Sequence, residues 1–343
     1  LKGKLRFTVD VYQKYVKDLL QPKVKMPTTI GYGNGYQISY MNSGKMTNKG
    51  WEFRVDAVPF QNKDWRVGVY FNIAHNENKI TEMPDNYIEE NYTFGNGNYA
   101  YRREEGRPMG SFYGYRYKGV YQNKDATYAR DIEGNVMKDI SGNAIVMRNG
   151  SYTVAPGDAI YEDVNHDGVI NQYDIVYLGN SNPRLTGGAG LNVSYKQFKL
   201  SAIFYGRYGQ DVVNATRLNN ESMRGIDNQS TAVLRRWRNE GDQTDIPRAL
   251  YGEGYNTLGS DRFVEDASYL RLKSLSFTYR LPKKAIQRWG FNNIDVYVTG
   301  YNLFTWTKYT GQDPEVKTEN TYARDTATTP ASIQLVAGFN LSF

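Results

Sequence analysis

The chain has 343 residues, among them 30 tyrosines, 14 phenylalanines, 33 glycines, two histidines and no cysteine. Its mean hydropathy of −0.67, with no run of about 18 apolar residues, excludes transmembrane helices, and the lack of cysteine excludes disulfides, thiol nucleophiles and cysteine-ligated zinc. The net charge of +6 comes from 42 basic and 36 acidic residues without a basic run, so no nucleic-acid binding is indicated.

Alternation of apolar and polar residues predicts β-strands along most of the chain. In residues 5–11 the apolar side chains Leu, Phe, Val and Val alternate with polar ones. The same period of two recurs in the segments 51–57, 65–73, 190–196, 198–209, 269–281, 293–304 and 332–343. Because successive side chains of a strand point to opposite faces, this period indicates strands with one apolar and one polar face. The fold class is therefore predicted to be all-β.

The connections between these strands fall into two length classes. Short turns are predicted at 60–63, 196–197 and 282–292, and long polar stretches at 17–47, 78–186, 208–267 and 305–331. Short turns that alternate with long loops are typical of outer-membrane barrels, which place the long loops outside the cell. Counting back from Phe343 puts every long stretch outside, provided that residues 111–121 do not cross the membrane. The pattern favours an antiparallel transmembrane β-barrel segment of about eight strands over a soluble sandwich.

Residues 163–174, DVNHDGVINQYD, have the spacing of a twelve-residue calcium loop. The predicted ligands are Asp163, Asn165, Asp167, the carbonyl of Val169, and Asp174, with Gly168 at the turn position that needs positive φ. Asp174 replaces the longer glutamate usual at the last position, and no helix is predicted on either side. Calcium here is therefore expected to be structural, and a solvated turn without metal is the alternative. His166 is expected to be a bystander.

Two stretches near the end of the chain resemble the SusC/RagA family of TonB-dependent transporters. RFVEDASYLRLKSLSFTYRLP (262–282) and VYVTGYNLFTWTKYTGQDPEV (296–316) are similar to the C-terminal signature of that family. The stretch 157–201 is similar to its acidic loop and the Gly-Asn-Pro-Asn-Pro that follows, with Ser181 in place of the first proline. The strand at 5–20 also looks like a family strand.

The resemblance implies a barrel of about 22 strands with an N-terminal plug, importing oligosaccharides or peptides with energy from TonB beneath a SusD-type lipoprotein lid. Residues 1–343 would be the C-terminal part of that barrel, with the plug, the earlier strands and the TonB-interacting segment absent from this chain. The expected location is the outer membrane of a Gram-negative bacterium, in contact with lipid and lipopolysaccharide. The long loop 78–186 is expected to lack enough apolar surface to fold alone, so calcium could brace it near the lid.

Other functions compete with import. A calcium-stabilised structural barrel or adhesin would have the same strands and loops. An outer-membrane hydrolase is not favoured, because His75 shares the parity of the apolar Ile73 and no Ser/His/Asp group is visible, so no enzyme is predicted. The aromatic and amide-rich run 86–103 could line a sugar or peptide site, or be a loop held by its own tyrosines. Trp51 and Trp65 are predicted to form an interfacial girdle near a short turn.

Overall fold

A computed structural model describes residues 4–25, 37–42, 44–83, 99–101, 103–319 and 322–343. Its strands are, in chain order, β1 (Leu5–Lys17), β2 (Leu20–Lys25), β3 (Gln37–Asn42), β4 (Lys45–Gln61), β5 (Trp65–Glu82), β6 (Ala100–Tyr101), β7 (Ser111–Gly114), β8 (Tyr117–Val120), β9 (Arg148–Asn149), β10 (Tyr152–Thr153), β11 (Ala159–Tyr161), β12 (Val176–Asn180), β13 (Leu185–Tyr195), β14 (Phe198–Tyr208), β15 (Asp211–Asn214), β16 (Val264–Asp266), β17 (Tyr269–Arg280), β18 (Asn293–Thr307), β19 (Thr318–Glu319), β20 (Tyr322–Asp325) and β21 (Gln334–Ser342). The helices are α1 (Ala215–Asn220) and α2 (Lys283–Ile286), with 3-10 turns at Asp125–Thr127, Gln172–Asp174, Thr231–Arg235, Tyr255–Thr257, Asp261–Phe263 and Gln287–Trp289. Within the described residues, no helix is both long enough and apolar enough to cross a membrane.

One large antiparallel sheet organises the molecule. Its eight strands follow the order β1-β4-β5-β13-β14-β17-β18-β21 and are joined in sequence by alternating short and long connections. The predicted strand number is therefore confirmed. Residues 111–121 lie outside this sheet, as predicted, because β7 pairs with β12 and β6 while β8 pairs with β11. The all-β, barrel-segment fold class is confirmed as well.

The two faces of the large sheet differ in polarity in the way that the alternation predicts. The row nearest the short turns joins Trp65, Tyr195, Phe198 and Tyr279 in cross-strand register. Their rings are in contact, with centroids 4.3 Å apart for Trp65 and Tyr195 and 4.9 Å apart for Phe198 and Tyr279. The opposite face carries polar pairs such as Arg280 Nε to Asp295 Oδ1 at 2.8 Å. An aromatic row at one end of the apolar face is the arrangement of an interfacial girdle.

The predicted position of Trp51 is wrong. Trp51 lies within the 17-residue strand β4 and pairs with Val11 and His75, far from the short turn that follows Gln61. At about 3.3 Å per residue it lies roughly 33 Å along the strand from Gln61, toward the long loops. Of the two tryptophans, Trp65 alone lies in the aromatic row at the short-turn end. Strand β4 is longer than the regular alternation of residues 51–57 suggested. Trp51 therefore lies toward the rim of the long loops rather than beside the short turn.

Three tyrosines on the polar face each cover a glycine directly across the strand pair. The register joins Tyr12 to Gly50, Tyr70 to Gly190, and Tyr297 to Gly338. A methyl group on Gly190 would lie 1.9 Å from a ring carbon of Tyr70, so the ring occupies the space that a side chain would need. Aromatic cover of a strand glycine restores packing that glycine alone cannot provide.

Gly190→Ala is therefore expected to destabilise the barrel by about 1–3 kcal/mol, because the Tyr70 ring must leave its rotamer. The measurement is the temperature at which the full receptor loses its heat-modifiable mobility on an SDS gel. Gly68→Ala on neighbouring β5 is the matched control, since its methyl group would meet no atom closer than 3.9 Å. Equal melting temperatures for the two variants would contradict the prediction.

Candidate functional site

The long connections fold into a layer of their own at one rim of the sheet. This loop layer comprises the described residues of 83–184, 209–268 and 308–333. Its largest core is rich in tyrosine and contains Tyr113, Tyr115, Tyr121, Ala129, Met147, Val154, Ala159, Tyr161, Ile170, Ile175, Tyr255 and Leu258. Tyr255 stands edge-on to Tyr161 with centroids 5.4 Å apart. Ten of the twelve core residues come from the 78–186 stretch, while Tyr255 and Leu258 come from 208–267, so two loops build this core together. The expectation that the 78–186 loop lacks enough apolar surface to fold alone stays a prediction.

The buried carboxylate of Asp158 links the first segment of the loop layer, 83–184, to the second, 209–268. Asp158 has no exposed surface and accepts hydrogen bonds from Arg248 Nε at 2.7 Å and from Tyr152 Oη at 2.6 Å. Further donors are the Ala155 amide at 2.8 Å and Asn256 Nδ2 at 3.2 Å. The hydrogen bond from Arg248 to Asp158 raises the pKa of that guanidinium further, and burial beside the carboxylate raises the pKa of Tyr152. Both groups keep their protons at neutral pH.

Within the first loop, residues 127–147 form a hairpin hub with a cyclic set of hydrogen bonds. The Ala129 amide donates to Ile145 O at 2.8 Å, the Met137 amide to Ala129 O at 2.9 Å, and the Ile145 amide to Met137 O at 2.9 Å. Asp131 and Asp139 cap the two hairpin tips by accepting backbone amides. These hydrogen bonds, chiefly from the amides of the following asparagines, lower the pKa of both carboxyl groups.

The acidic loop 163–174 packs against this hub through Gly168. Its φ is +78°, as predicted for the turn position, and a methyl group there would lie 3.0 Å from Cβ of Ala129. The carboxylates order the backbone of the loop: Asp163 Oδ2 accepts the Gly168 amide at 2.8 Å and Asp167 Oδ1 accepts the Val169 amide at 2.8 Å. Glycine is needed both for the turn and for the close approach to the hub.

Asp174 closes the acidic loop from its far end. Its two carboxylate oxygens accept the amides of Val164 and Asn171, each at 2.8 Å. Burial raises the pKa of Asp174, and the negative charges of Asp163 and Asp167 raise it further. The side chain therefore lies near two like charges, an arrangement that a divalent cation would stabilise.

The donor set suits calcium in chemistry, since every predicted ligand atom is an oxygen. Two of these oxygens accept hydrogen bonds from amide side chains within the loop. Asn165 Nδ2 donates to Asp167 Oδ2 at 2.9 Å, and Asn171 Nδ2 donates to the Val169 carbonyl at 3.1 Å. In the described part of the chain, no three His, Cys, Asp or Glu side chains form a metal-binding group. The ligands Asp163, Asn165, Asp167, Val169 and Asp174 stay a prediction.

A second polar site lies on the polar face of the sheet, beneath the loop layer. Arg271 of β17 is 2 % exposed and donates to Asp313 Oδ1 at 2.5 Å and to Glu315 Oε2 at 2.9 Å. Lys273 donates to the same Glu315 oxygen at 2.8 Å. These pairs hold the connection between β18 and β21 against the sheet. A cavity of about 810 Å³ adjoins them, and basic side chains of three separate segments line it together with the two acids.

Sequence patterns missed this cavity because its residues come from distant segments. Its lining includes Arg207 of β14 and Arg324 of β20, which share no spacing with the acids near 313. Of the aromatic run 86–103, residues 86–98 and 102 lie outside the described residues. His75, placed by parity with Ile73, has its Nδ1 atom 2.6 Å from the carbonyl oxygen of Arg184.

Comparison with known proteins identifies what this arrangement belongs to. No family model matches the sequence. The chain is 32 % identical over 325 residues to TonB-dependent receptor P3 of Formosa agariphila, covering 93 % of the chain and 29 % of the receptor. It is 28 % identical over 352 residues to TonB-dependent receptor SusC of Bacteroides thetaiotaomicron, covering 100 % of the chain and 30 % of SusC.

A solved structure leads to the same family. The fold superposes on a chain of the RagAB peptide transporter with a TM-score of 0.74 and 28 % sequence identity, covering 100 % of this chain and 34 % of that one. The chain thus spans about a third of the length of the proteins it matches. The resemblance of the 262–282 and 296–316 stretches to one family is confirmed. The chain belongs to the SusC/RagA family of TonB-dependent receptors, and its eight-stranded sheet corresponds to a segment of their β-barrel.

Proposed function

We propose that this chain forms part of an outer-membrane importer that takes up oligosaccharides or peptides with energy from TonB. The observation that carries the proposal is the large sheet, which is apolar on one face and polar on the other and has all its long connections at one rim. The apolar face would meet lipid and lipopolysaccharide, and the polar face would line the lumen. Similarity to SusC and to RagAB, a peptide transporter, supports import. The plug, the TonB-interacting segment and the remaining strands would come from the rest of the receptor.

A SusD-type lipoprotein is the proposed partner of the loop layer. The layer is folded rather than loose, and its hairpin hub presents Ile132 and Ile140 on two neighbouring tips. Both side chains are exposed and would lose water contact against a partner that docks on these tips. A lid that docks on this rim would cover the mouth of the lumen and leave the sheet untouched.

Deletion of the receptor gene is the direct test of import. We expect loss of uptake of one class of labelled oligosaccharide or peptide, restored by the intact gene but not by a gene lacking the TonB-interacting segment. Tagged receptor should co-purify a surface lipoprotein. Unchanged uptake of every class, together with loss of calcium-dependent attachment of the cells to a surface, would instead support a structural or adhesin barrel.

Calcium in the acidic loop is the second part of the proposal. Three carboxylates on a short loop repel one another, and a cation would replace that repulsion with attraction. The loop touches the hairpin hub through Gly168, so a bound ion would stiffen the surface proposed for the lid. The role of the ion would be structural.

Asp163→Ala combined with Asp167→Ala is therefore expected to weaken lid co-purification and to loosen residues 157–180, leaving the barrel inserted and heat-stable. Chelator should reproduce the effect on the unmodified receptor and add nothing to the double variant. Hydrogen exchange of 157–180 and lid recovery are the measurements, with Asp227→Ala plus Asp245→Ala as an equal loss of charge elsewhere in the loop layer. Unchanged lid recovery combined with lost substrate binding would place the loop in the substrate site instead.

A further inference from the structure

The cavity beside the Arg271 pairs has an uneven distribution of charge. It is lined by two acidic side chains, Asp313 and Glu315, and by three basic ones, Arg207, Lys317 and Arg324. The rest of the lining mixes small polar and small apolar side chains, so the cavity is neither a purely apolar groove nor a fully hydrated one. Which charges are already compensated decides what the cavity can bind.

Both acids are paired within the protein. Asp313 accepts from Arg271 and from the backbone amides of Glu315 and Ala331, with both amides at 2.9 Å. Glu315 accepts from Arg271 and from Lys273 at 2.9 and 2.8 Å. Two cations outside the cavity lining thus neutralise the two acids inside it. The acids have little capacity left for a ligand cation.

The basic residues of the lining are left in excess. Lys317 and Arg324 are exposed and form no ion pair with a described residue. Arg207 is half-buried, and its Nε donates to Tyr205 Oη at 3.1 Å, which orients the guanidinium. Within the part of the chain that the structure describes, its two outer nitrogens are left for another acceptor. Cations on the wall of a concave, partly apolar site concentrate the field and attract anions more strongly than the same charges on an open surface.

We infer that this cavity binds an anionic group of the imported molecule, a carboxylate or a sulfate, through Arg207, Lys317 and Arg324. Guanidinium groups suit such planar or multi-oxygen anions because they donate two parallel hydrogen bonds. The inference rests on the proposed import function and narrows its substrate to an acidic oligosaccharide or an acidic peptide. Either ligand would present an anionic group to the cavity. The oligosaccharide and the peptide differ in the backbone that carries this group.

The test uses the full receptor and four probes of defined chemistry. Short dextran sulfate is compared with dextran of equal length, and triglutamate is compared with triglycine, by calorimetry in detergent. We expect one anionic probe to bind at least tenfold more tightly than its neutral counterpart, and the advantage to fall with added salt. Which pair shows the difference identifies the source of the anion.

Lys317→Gln combined with Arg324→Gln should weaken the anionic probe about five- to twentyfold, since each exposed cation contributes modestly to an ion pair. Lys124→Gln combined with Lys138→Gln, which removes two exposed charges from the loop layer outside the cavity, should leave binding unchanged. Equal binding of anionic and neutral probes, or equal losses in the two double variants, would overturn the inference. Uptake by cells distinguishes the anion-binding inference from the proposed import function. Import that continues without any preference for anionic substrates contradicts only the anion-binding inference.

Discussion

Replacing Asp158 with alanine is expected to loosen the loop layer by roughly 3–5 kcal/mol while the eight-stranded sheet stays folded. Asp158 is fully buried and accepts hydrogen bonds from Arg248, Tyr152, Asn256 and the Ala155 amide. Its removal leaves the partly buried Arg248 without its counter-ion and several donors without an acceptor. The cost of unpaired buried groups exceeds the value of the pair itself.

The measurement is hydrogen exchange or limited proteolysis of the full receptor in detergent. Exchange should rise in residues 150–162 and 246–258, on both sides of the contact, and remain unchanged in β13 and β14. Asp227→Ala, an exposed carboxylate in the same layer, is the control. Adding Arg248→Met to Asp158→Ala should recover part of the protection, because no buried cation then lacks a partner. Protection that is no better in the double variant than in Asp158→Ala would show that the ion pair does not hold the two loops together.

The sheet could be predicted from the sequence because its information is local. The alternation of apolar and polar residues within a strand shows which residues lie on each of its two faces. A short turn such as 196–197 fixes the register of β13 and β14, starting from the pair Tyr195 and Phe198. The misplacement of Trp51 shows the limit of such local patterns. Alternation marks which face a residue occupies but not how far a strand extends beyond its most regular part.

The acidic loop could be predicted for the same reason, and the rest of the loop layer could not. Gly168 and the carboxylates of Asp163 and Asp167 make their turn within six residues, so spacing alone indicates it. Asp158 and Arg248, by contrast, are separated by 90 positions in the chain. No periodicity links such residues, and tyrosine-rich loops give no alternation from which a core could be inferred. Long-range polar contacts appear only once the sheet has placed the loops side by side.

The connection between β18 and β21 depends on Arg271, and Arg271→Met is expected to release it. The variant leaves Asp313 and Glu315 near the polar face without the guanidinium that both contact, at a cost of roughly 3–5 kcal/mol. Lys273 still reaches Glu315, so Asp313 bears most of the loss. The release of the segment in Arg271→Lys should be intermediate between the unmodified receptor and Arg271→Met. An ammonium group cannot bind two carboxylates with the fixed geometry of a guanidinium. A spin label at the exposed Thr326 would show release of the segment as narrower spectral lines, because the label would move more freely.

Low pH should release the same segment as Arg271→Met does. This pH dependence follows from the direction of the pKa shift of Asp313. Burial alone would raise the pKa of this carboxyl, but the amides of Ala331 and Glu315 and the charge of Arg271 outweigh burial and lower it. A carboxyl whose pKa is lowered by folding stabilises the fold above its unfolded pKa of about 3.9 and loses that contribution as the pH falls through the lower folded value. Label mobility at Thr326 should thus rise below about pH 4 in the unmodified receptor. It should change little with pH in Arg271→Met, because the segment is already released there. Arg54→Met removes an exposed arginine of the same polar face and should leave both the mobility and its pH dependence as they were. If Arg271→Met and Arg54→Met gave the same spectra at every pH, the segment would be held by its apolar contacts at Val316 and Tyr309, and the ion pairs would add nothing to its attachment.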